Sequence, residues 1–163
     1  MVKFLPTFLL EKIKKDSSEG SKFYDIEYSG IDLSGNRYIL NAKEAKNSEN
    51  DKGLIHLNFV KAVFYFKDNK VLNISSNFGL YNNKSLDMTF MDNVKGTYEG
   101  SILLAERAEY SNSENYILIS ENVKIQDIRG TMLAEKLVFD IEKNKLDISS
   151  PLDKKVNANL NYK

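Results

Sequence analysis

The sequence predicts an all-β protein of about ten antiparallel strands, assembled from a repeated strand–loop–strand unit into an elongated sandwich, jelly roll or open barrel. Three observations predict it. One is a step of 29 residues linking Tyr81, Tyr110 and Phe139, Ile74, Leu103 and Met132, and Ser76, Ala105 and Ala134. The same step links Met88, Ile117 and Leu146, then Phe90, Ile119 and Ile148, and Val94, Val123 and Leu152. Such a period marks a stacked unit that cannot bury its apolar face alone. The second observation is period-2 alternation within each unit: Met88 with Phe90, Ile117 with Ile119, and Leu146 with Ile148 share one face. Asp87, Thr89, Ser120 and Asp147 take the other. The third is the near absence of helix signals after residue 22. A fainter copy lies upstream at an offset of 34, with Leu40, Ala42, Ala45, Leu54 and Val60 preceding Ile74, Ser76, Gly79, Met88 and Val94. The chain thus reads as four copies behind a leader.

Taken in order, Met1–Lys15 has the pattern of a short amphipathic helix, with Phe4, Leu5, Phe8, Leu9 and Ile13 on one side, or of a loosely docked leader. Its apolar part is about ten residues, broken by Pro6, where a membrane span needs about twenty. It lacks the small-residue cleavage site of a signal peptide. Residues 16–21 form a polar linker. Lys22–Tyr28 alternates as a first strand, and Gly30 and Gly35 frame a turn in which both are free to take positive φ. Each unit then repeats one plan. The first-half strands are 38–45, 72–81, 102–110 and 132–141, and the second-half strands are 54–66, 86–98, 116–127 and 145–156. Asp92-Asn93, Glu121-Asn122 and Ser150-Pro151 precede the Val94, Val123, Leu152 column, and such residues inside a strand predict a bulge or bend. A bend repeated in one sense folds a long meander onto itself as two facing sheets. Glu44-Ala45-Lys46 and Ala105–Glu109 have local helix propensity, but the repeat places both in strands. The domain boundaries expected are a leader over 1–22, a β domain over 23–157 and a tail over 158–163.

Composition fits one soluble domain: 163 residues, 42% hydrophobic and 28% charged. Lys+Arg and Asp+Glu are 23 each, so the basic excess of a nucleic-acid binder is absent. Cysteine is absent, which excludes disulfides and thiolate chemistry. The single histidine, His56, shares a column with Phe90, Ile119 and Ile148 and is expected to point inward as a core or cavity-edge residue. Glu106, Glu109, Asp127, Asp140 and Glu142 are scattered over polar positions rather than paired as in a two-carboxylate hydrolase. No phosphate-binding loop, dinucleotide fingerprint or nucleophile elbow is present. Lys61, Lys95 and Lys124 recur after the Val column on the outer face, where they solubilise the sheet or meet anionic groups at a rim. The inward columns hold large apolar residues, among them Phe59 or Val60, Phe64, Phe66, Phe78, Met88 and Phe90, so the shell is either packed solid or holds an acyl chain.

The stretch Tyr28-Ser-Gly-Ile-Asp-Leu-Ser-Gly35-Asn-Arg-Tyr38-Ile-Leu-Asn-Ala42-Lys-Glu-Ala45 resembles the first strands of the LptC family. Gly79-Leu-Tyr81, Asp92-Asn93-Val94, Ala105-Glu-Arg-Ala108-Glu-Tyr110 and Glu121-Asn122-Val123 resemble the repeated signature of the wider OstA-like group, which includes LptA. The likeness covers about residues 23–157. It implies an open β-jelly roll without catalysis, cofactor or metal, whose interior carries the acyl chains of lipopolysaccharide. The lining it implies is Leu40, Ala42, Val60, Phe64, Ile74, Met88, Phe90, Val94, Leu103, Ile117, Ile119, Met132 and Leu146. Ala42, Ala105 and Ala134 would keep that lumen wide. It implies a place on the periplasmic side of the inner membrane and partners joined by strand addition. The N-terminal edge, at Tyr24, Ile26 and Tyr28, would meet the inner-membrane lipopolysaccharide ABC transporter. The C-terminal edge, at Leu146, Ile148 and Val156, would meet an LptA-like protein. LptC members carry an N-terminal transmembrane helix, of which this chain shows only a short apolar fragment. A soluble LptA-like bridge protein and a structural β-repeat without lipid are the alternatives.

Overall fold

The computed structural model describes residues 12–14, 21–149 and 158–160. Among them eleven strands form one antiparallel sheet. They are β1 (Lys12–Lys14), β2 (Lys22–Ile31), β3 (Arg37–Asn47), β4 (Leu54–Tyr65), β5 (Val71–Asn82), β6 (Met88–Tyr98), β7 (Ser101–Ser111), β8 (Tyr116–Asp127), β9 (Gly130–Asp140), β10 (Lys145–Ser149) and β11 (Ala158–Leu160). Strands β1 to β10 pair in sequence order, and β11 adds beside β9. No described helix is long and apolar enough to cross a membrane. Glu44-Ala45-Lys46 and Ala105–Glu109 are strand, as the repeat requires. Of the leader, Lys12–Lys14 is strand and pairs with Lys22–Tyr24. The remaining leader positions, the linker, Ser150-Pro151, Leu152 and Val156 lie outside the described residues.

The single sheet becomes two layers because its strands bend at mid-length. Asp25, Phe59, the pair Asp92-Asn93 and the pair Glu121-Asn122 all have φ between 50° and 66°. Left-handed backbone is costly for L-residues and least so for Asn and Asp. The ladder registers break at the same latitude, between Ser75 and Phe78, Met91 and Val94, Leu104 and Arg107, and Ser120 and Val123. These are the bulges that two of the Asn-marked positions predict.

Contacts across the fold show which halves face each other. The Tyr28 ring lies 4.8 Å from Tyr81, and the Phe64 ring 5.2 Å from Tyr110. Strands three places apart in a flat sheet are about 14 Å distant, so the sheet must fold. Tyr38 meets Tyr110 at 6.2 Å and Tyr98 meets Phe139 at 5.8 Å. In each pair one residue lies on one side of the bends and its partner lies beyond them. Segments 26–31, 37–42, 60–65, 71–76, 94–98, 101–105, 123–127 and 130–134 make layer one. The opposite halves of the same strands, with β10, make layer two. A layer-one half faces a layer-two half three to five strands further along the chain, because the sheet twists as it folds.

Inward columns are buried as the alternation predicts, including Leu40, Ala42, Val60, Ile74, Met88 and Val94. Three expectations change. His56 is exposed, and Ile55 and Leu57 point inward instead. The residue level with Phe90 is Leu57, since both pair with Gly79. The bend of β4 uses Phe59 alone between Leu57 and Val60, whereas three residues separate Phe90 from Val94 in β6, so the upstream copy runs one residue out of phase before its bend. Phe78 is likewise exposed rather than inward, while of Phe59 and Val60 it is Val60 that points in. Phe78 sits just past the bend of β5, where two residues separate inward Ser76 from inward Gly79. Gly35 takes the left-handed turn, φ 83°. Gly30 instead lies within β2, and a Cβ there would collide with the Tyr38 hydroxyl oxygen, so its role is room for that ring.

Burial sets an alkaline limit on this core. It pushes the Tyr28 and Tyr38 hydroxyls up to about 12 from an ordinary 10.0, and Tyr81 and Tyr110 further still. The unfolded chain ionises first, so stability is whole below pH 10 and is lost as pH rises towards 12. The urea midpoint is expected to fall across that window, and to fall less in a Tyr28→Phe/Tyr38→Phe protein. A midpoint flat from pH 9 to 12 would refute it.

Candidate functional site

The core is solid where each layer-one half finds its partner. Towards the C-terminal end, among the described residues, β10 is the last strand the layer-one halves face, and there an apolar trough of about 480 Å³ opens. Leu72, Gly96 and Leu103 form one wall with Ile125 and Met132. Ile117, Ile119, Leu137, Leu146 and Ile148 form the other. Tyr98 and Phe139 add two rings to the lining, and Phe66 packs against both, 5.7 Å from Phe139 and 6.2 Å from Tyr98. Gly96 keeps the floor low, since a Cβ would approach Leu103 to 3.3 Å. On β10, Leu146 is 50% and Ile148 40% exposed. Two such side chains left open to water are costly unless something apolar covers them.

The expected lining therefore divides. Leu103, Ile117, Ile119, Met132 and Leu146 line the trough. Leu40, Ala42, Val60, Phe64, Ile74, Met88, Phe90 and Val94 are buried in the packed part. Ala42 and Ala105 belong to that packed part as well. Tyr98, Ile125, Leu137 and Phe139 line the trough unanticipated. They lie in the columns of Asp127, Gly96, Ala108 and Tyr110, and only the facing of distant halves distinguishes them.

At the expected N-terminal edge, Ile26 and Tyr28 point into the core. Tyr24 pairs with Lys12, so β1 covers β2 over Lys22–Tyr24. At the other edge β9 is shared: β10 pairs with Lys136–Asp140 and β11 with Gly130–Met132. The scattered carboxylates stay scattered. Glu109 pairs with Arg107 at 2.7 Å and Asp140 with Lys143 at 3.3 Å. Among the described residues no group of three metal-ligating side chains forms.

The trough's charged residues are Asp127 and Arg129, at its rim in the β8–β9 turn. The Arg129 Nε and Nη2 groups donate to Asp127 Oδ2 at 3.1 and 2.5 Å, and the Arg129 backbone N–H donates to Oδ1 at 2.7 Å. These bonds hold the Asp127 carboxyl below the usual carboxylate range.

Fold and site together define an open β-jelly roll with an apolar trough at one end. The family model described as "Lipopolysaccharide-assembly, LptC-related" matches residues 8–153, and the chain belongs to that family. Its members are non-enzymatic components of the lipopolysaccharide transport bridge that face the periplasm. Among solved structures the chain is similar to LptH, described as the LptA-homologous periplasmic component of the lipopolysaccharide transport device of Pseudomonas aeruginosa. The two are 10% identical, with 96% of this chain and 94% of that one covered and a TM-score of 0.45. No curated protein matches the chain.

Proposed function

We propose that the trough holds acyl chains of lipopolysaccharide, and that the protein passes this lipid from the inner-membrane ABC transporter towards an LptA-like protein. The observation that carries the reading is the half-exposed Leu146 and Ile148 on β10, facing an apolar trough at the end of the sheet. An acyl chain lying there removes that surface from water, at about 25 cal/mol per Å². In this reading the protein stands on the periplasmic side of the inner membrane. The β2 edge adds to the transporter and the β9–β10 edge to the LptA-like protein, both by strand addition. Lipid contact is then confined to the trough half of the expected lining.

A photocrosslinker at Ile117 or Ile119 is expected to capture lipopolysaccharide in cells, and one at Phe90 is expected to capture none. Equal silence at all three positions would leave a structural β-repeat as the better reading. Equal labelling from Phe90 would mean that the packed half opens to admit the lipid.

A further inference from the structure

The β8–β9 turn has features that a simple connection does not need. Ile128, at its tip, is 98% exposed. Arg129 follows with its side chain 78% exposed, while the Asp127 side chain is 19% exposed. A guanidinium has five N–H donors in a fixed plane. Asp127 engages the Nε edge, and among the described residues no other acid meets Arg129. The remaining donors are turned to solvent at the mouth of an apolar trough. Thr131 and Ser101 also line that trough.

We propose that Arg129 receives the anionic headgroup, a phosphate monoester or similar group, of the amphiphile whose chain fills the trough. Asp127 acts as its positioning residue. It does not have to release Arg129, because a fork gripped on one edge presents its other edge to a second acceptor. Ile128 then lies where chain and headgroup meet, and its exposed surface is covered by the ligand. Arginine suits this task better than lysine, whose ammonium is a point charge without a plane. The inference rests on the trough holding a lipid, and adds that the trough distinguishes lipids by charge.

The test uses the full chain and two probes with one acyl chain each, lysophosphatidic acid and the uncharged monoacylglycerol of the same chain, titrated calorimetrically below their aggregation concentrations. The wild type is expected to bind the phosphate-bearing lipid roughly tenfold more tightly, the size of one charge-assisted contact. Arg129→Gln should erase that preference and leave monoacylglycerol affinity within about twofold. Arg129→Lys should keep part of the preference, and raised salt should weaken only the charged lipid. Inorganic phosphate alone should not compete, because it brings no chain. Equal wild-type affinity for the two lipids overturns the headgroup assignment and leaves the trough reading intact. An equal loss for both lipids in Arg129→Gln shows a turn that acts by shape alone and also overturns the assignment. Failure of the wild type to bind either lipid overturns both readings.

Discussion

Replacing Phe64 with alanine is expected to cost about 3–5 kcal/mol of folding stability, the range for truncating a fully buried phenylalanine. Phe64 is 0% exposed. Its ring lies 6.1 Å from Tyr38 within layer one and 5.2 Å from Tyr110 in layer two, so it pins the layers together where the sheet has folded over. Cavity and lost ring contacts add, because the Tyr110 hydroxyl, bonded to Asn112 Oδ1 at 3.1 Å, stops that wall from collapsing inward. Domains of this size hold about 5–15 kcal/mol in total, so the variant should melt far below the parent. Phe64→Leu should cost much less, since most of the volume remains. Urea denaturation at constant m reads the difference, and a loss under about 1 kcal/mol for Phe64→Ala would contradict the pinning role.

Asp32→Ala is expected to cost about 2–4 kcal/mol, although Asp32 lies in a turn. It is 2% exposed. Its carboxylate accepts the Ser34 and Asn36 backbone N–H groups at 2.9 and 2.8 Å and the Asn36 side-chain amide at 2.9 Å. Asn36 in turn accepts the Lys67 N–H at 3.1 Å, and Ser34 Oγ accepts from the Asn115 amide of layer two. One carboxylate thereby fixes the β2–β3 turn against the β4–β5 turn and against the far layer. Alanine leaves three donors without an acceptor, two of them buried and one part-buried, and each carries a desolvation cost. Asp32→Asn should fall between the two. Amide exchange at Ser34 and Asn36 gives a local readout, and unchanged protection there in Asp32→Ala would sink the account.

Strands β3 to β8 were legible because their inward residues alternate and the alternation recurs at a fixed step, whereas β1 and β11 lie in stretches that read as leader and tail. Tyr116–Asp127 is strand over the range predicted, and Asp92-Asn93 and Glu121-Asn122 mark bends as their residue types suggest. What failed to be legible is what depends on counting across a bend or on pairing between distant halves. His56 was misplaced because Phe59, a bulky residue at φ 54°, makes a bend that no turn chemistry announces. Phe59 rests under the Lys43 ammonium, 5.4 Å from the ring centre, and nothing in the 29-residue pattern encodes that. The trough was half legible for a similar reason. Ile119 and Phe90 stand in equivalent inward positions of their strands, yet one faces a trough and the other a packed layer. Only the strand lying opposite differs, and that is decided by the twist of the whole sheet. Arg129 carries no signal in the 29-residue pattern, and the structure sets it at the rim of the trough that Leu103 and Met132 line.

The offset between facing halves separates two quantities that a tube would tie together. A unit of 29 residues added within the array gives its own two halves to layers already in place, so it lengthens the closed part by one pair of strands. The unmatched stretch at the end keeps its length and moves outward with the terminus. Reach is then set by how many units are strung together, while the mouth is set by the angle at which the sheet crosses itself. Variants of this architecture are free to span different distances and still present the same opening to whatever stands next in line.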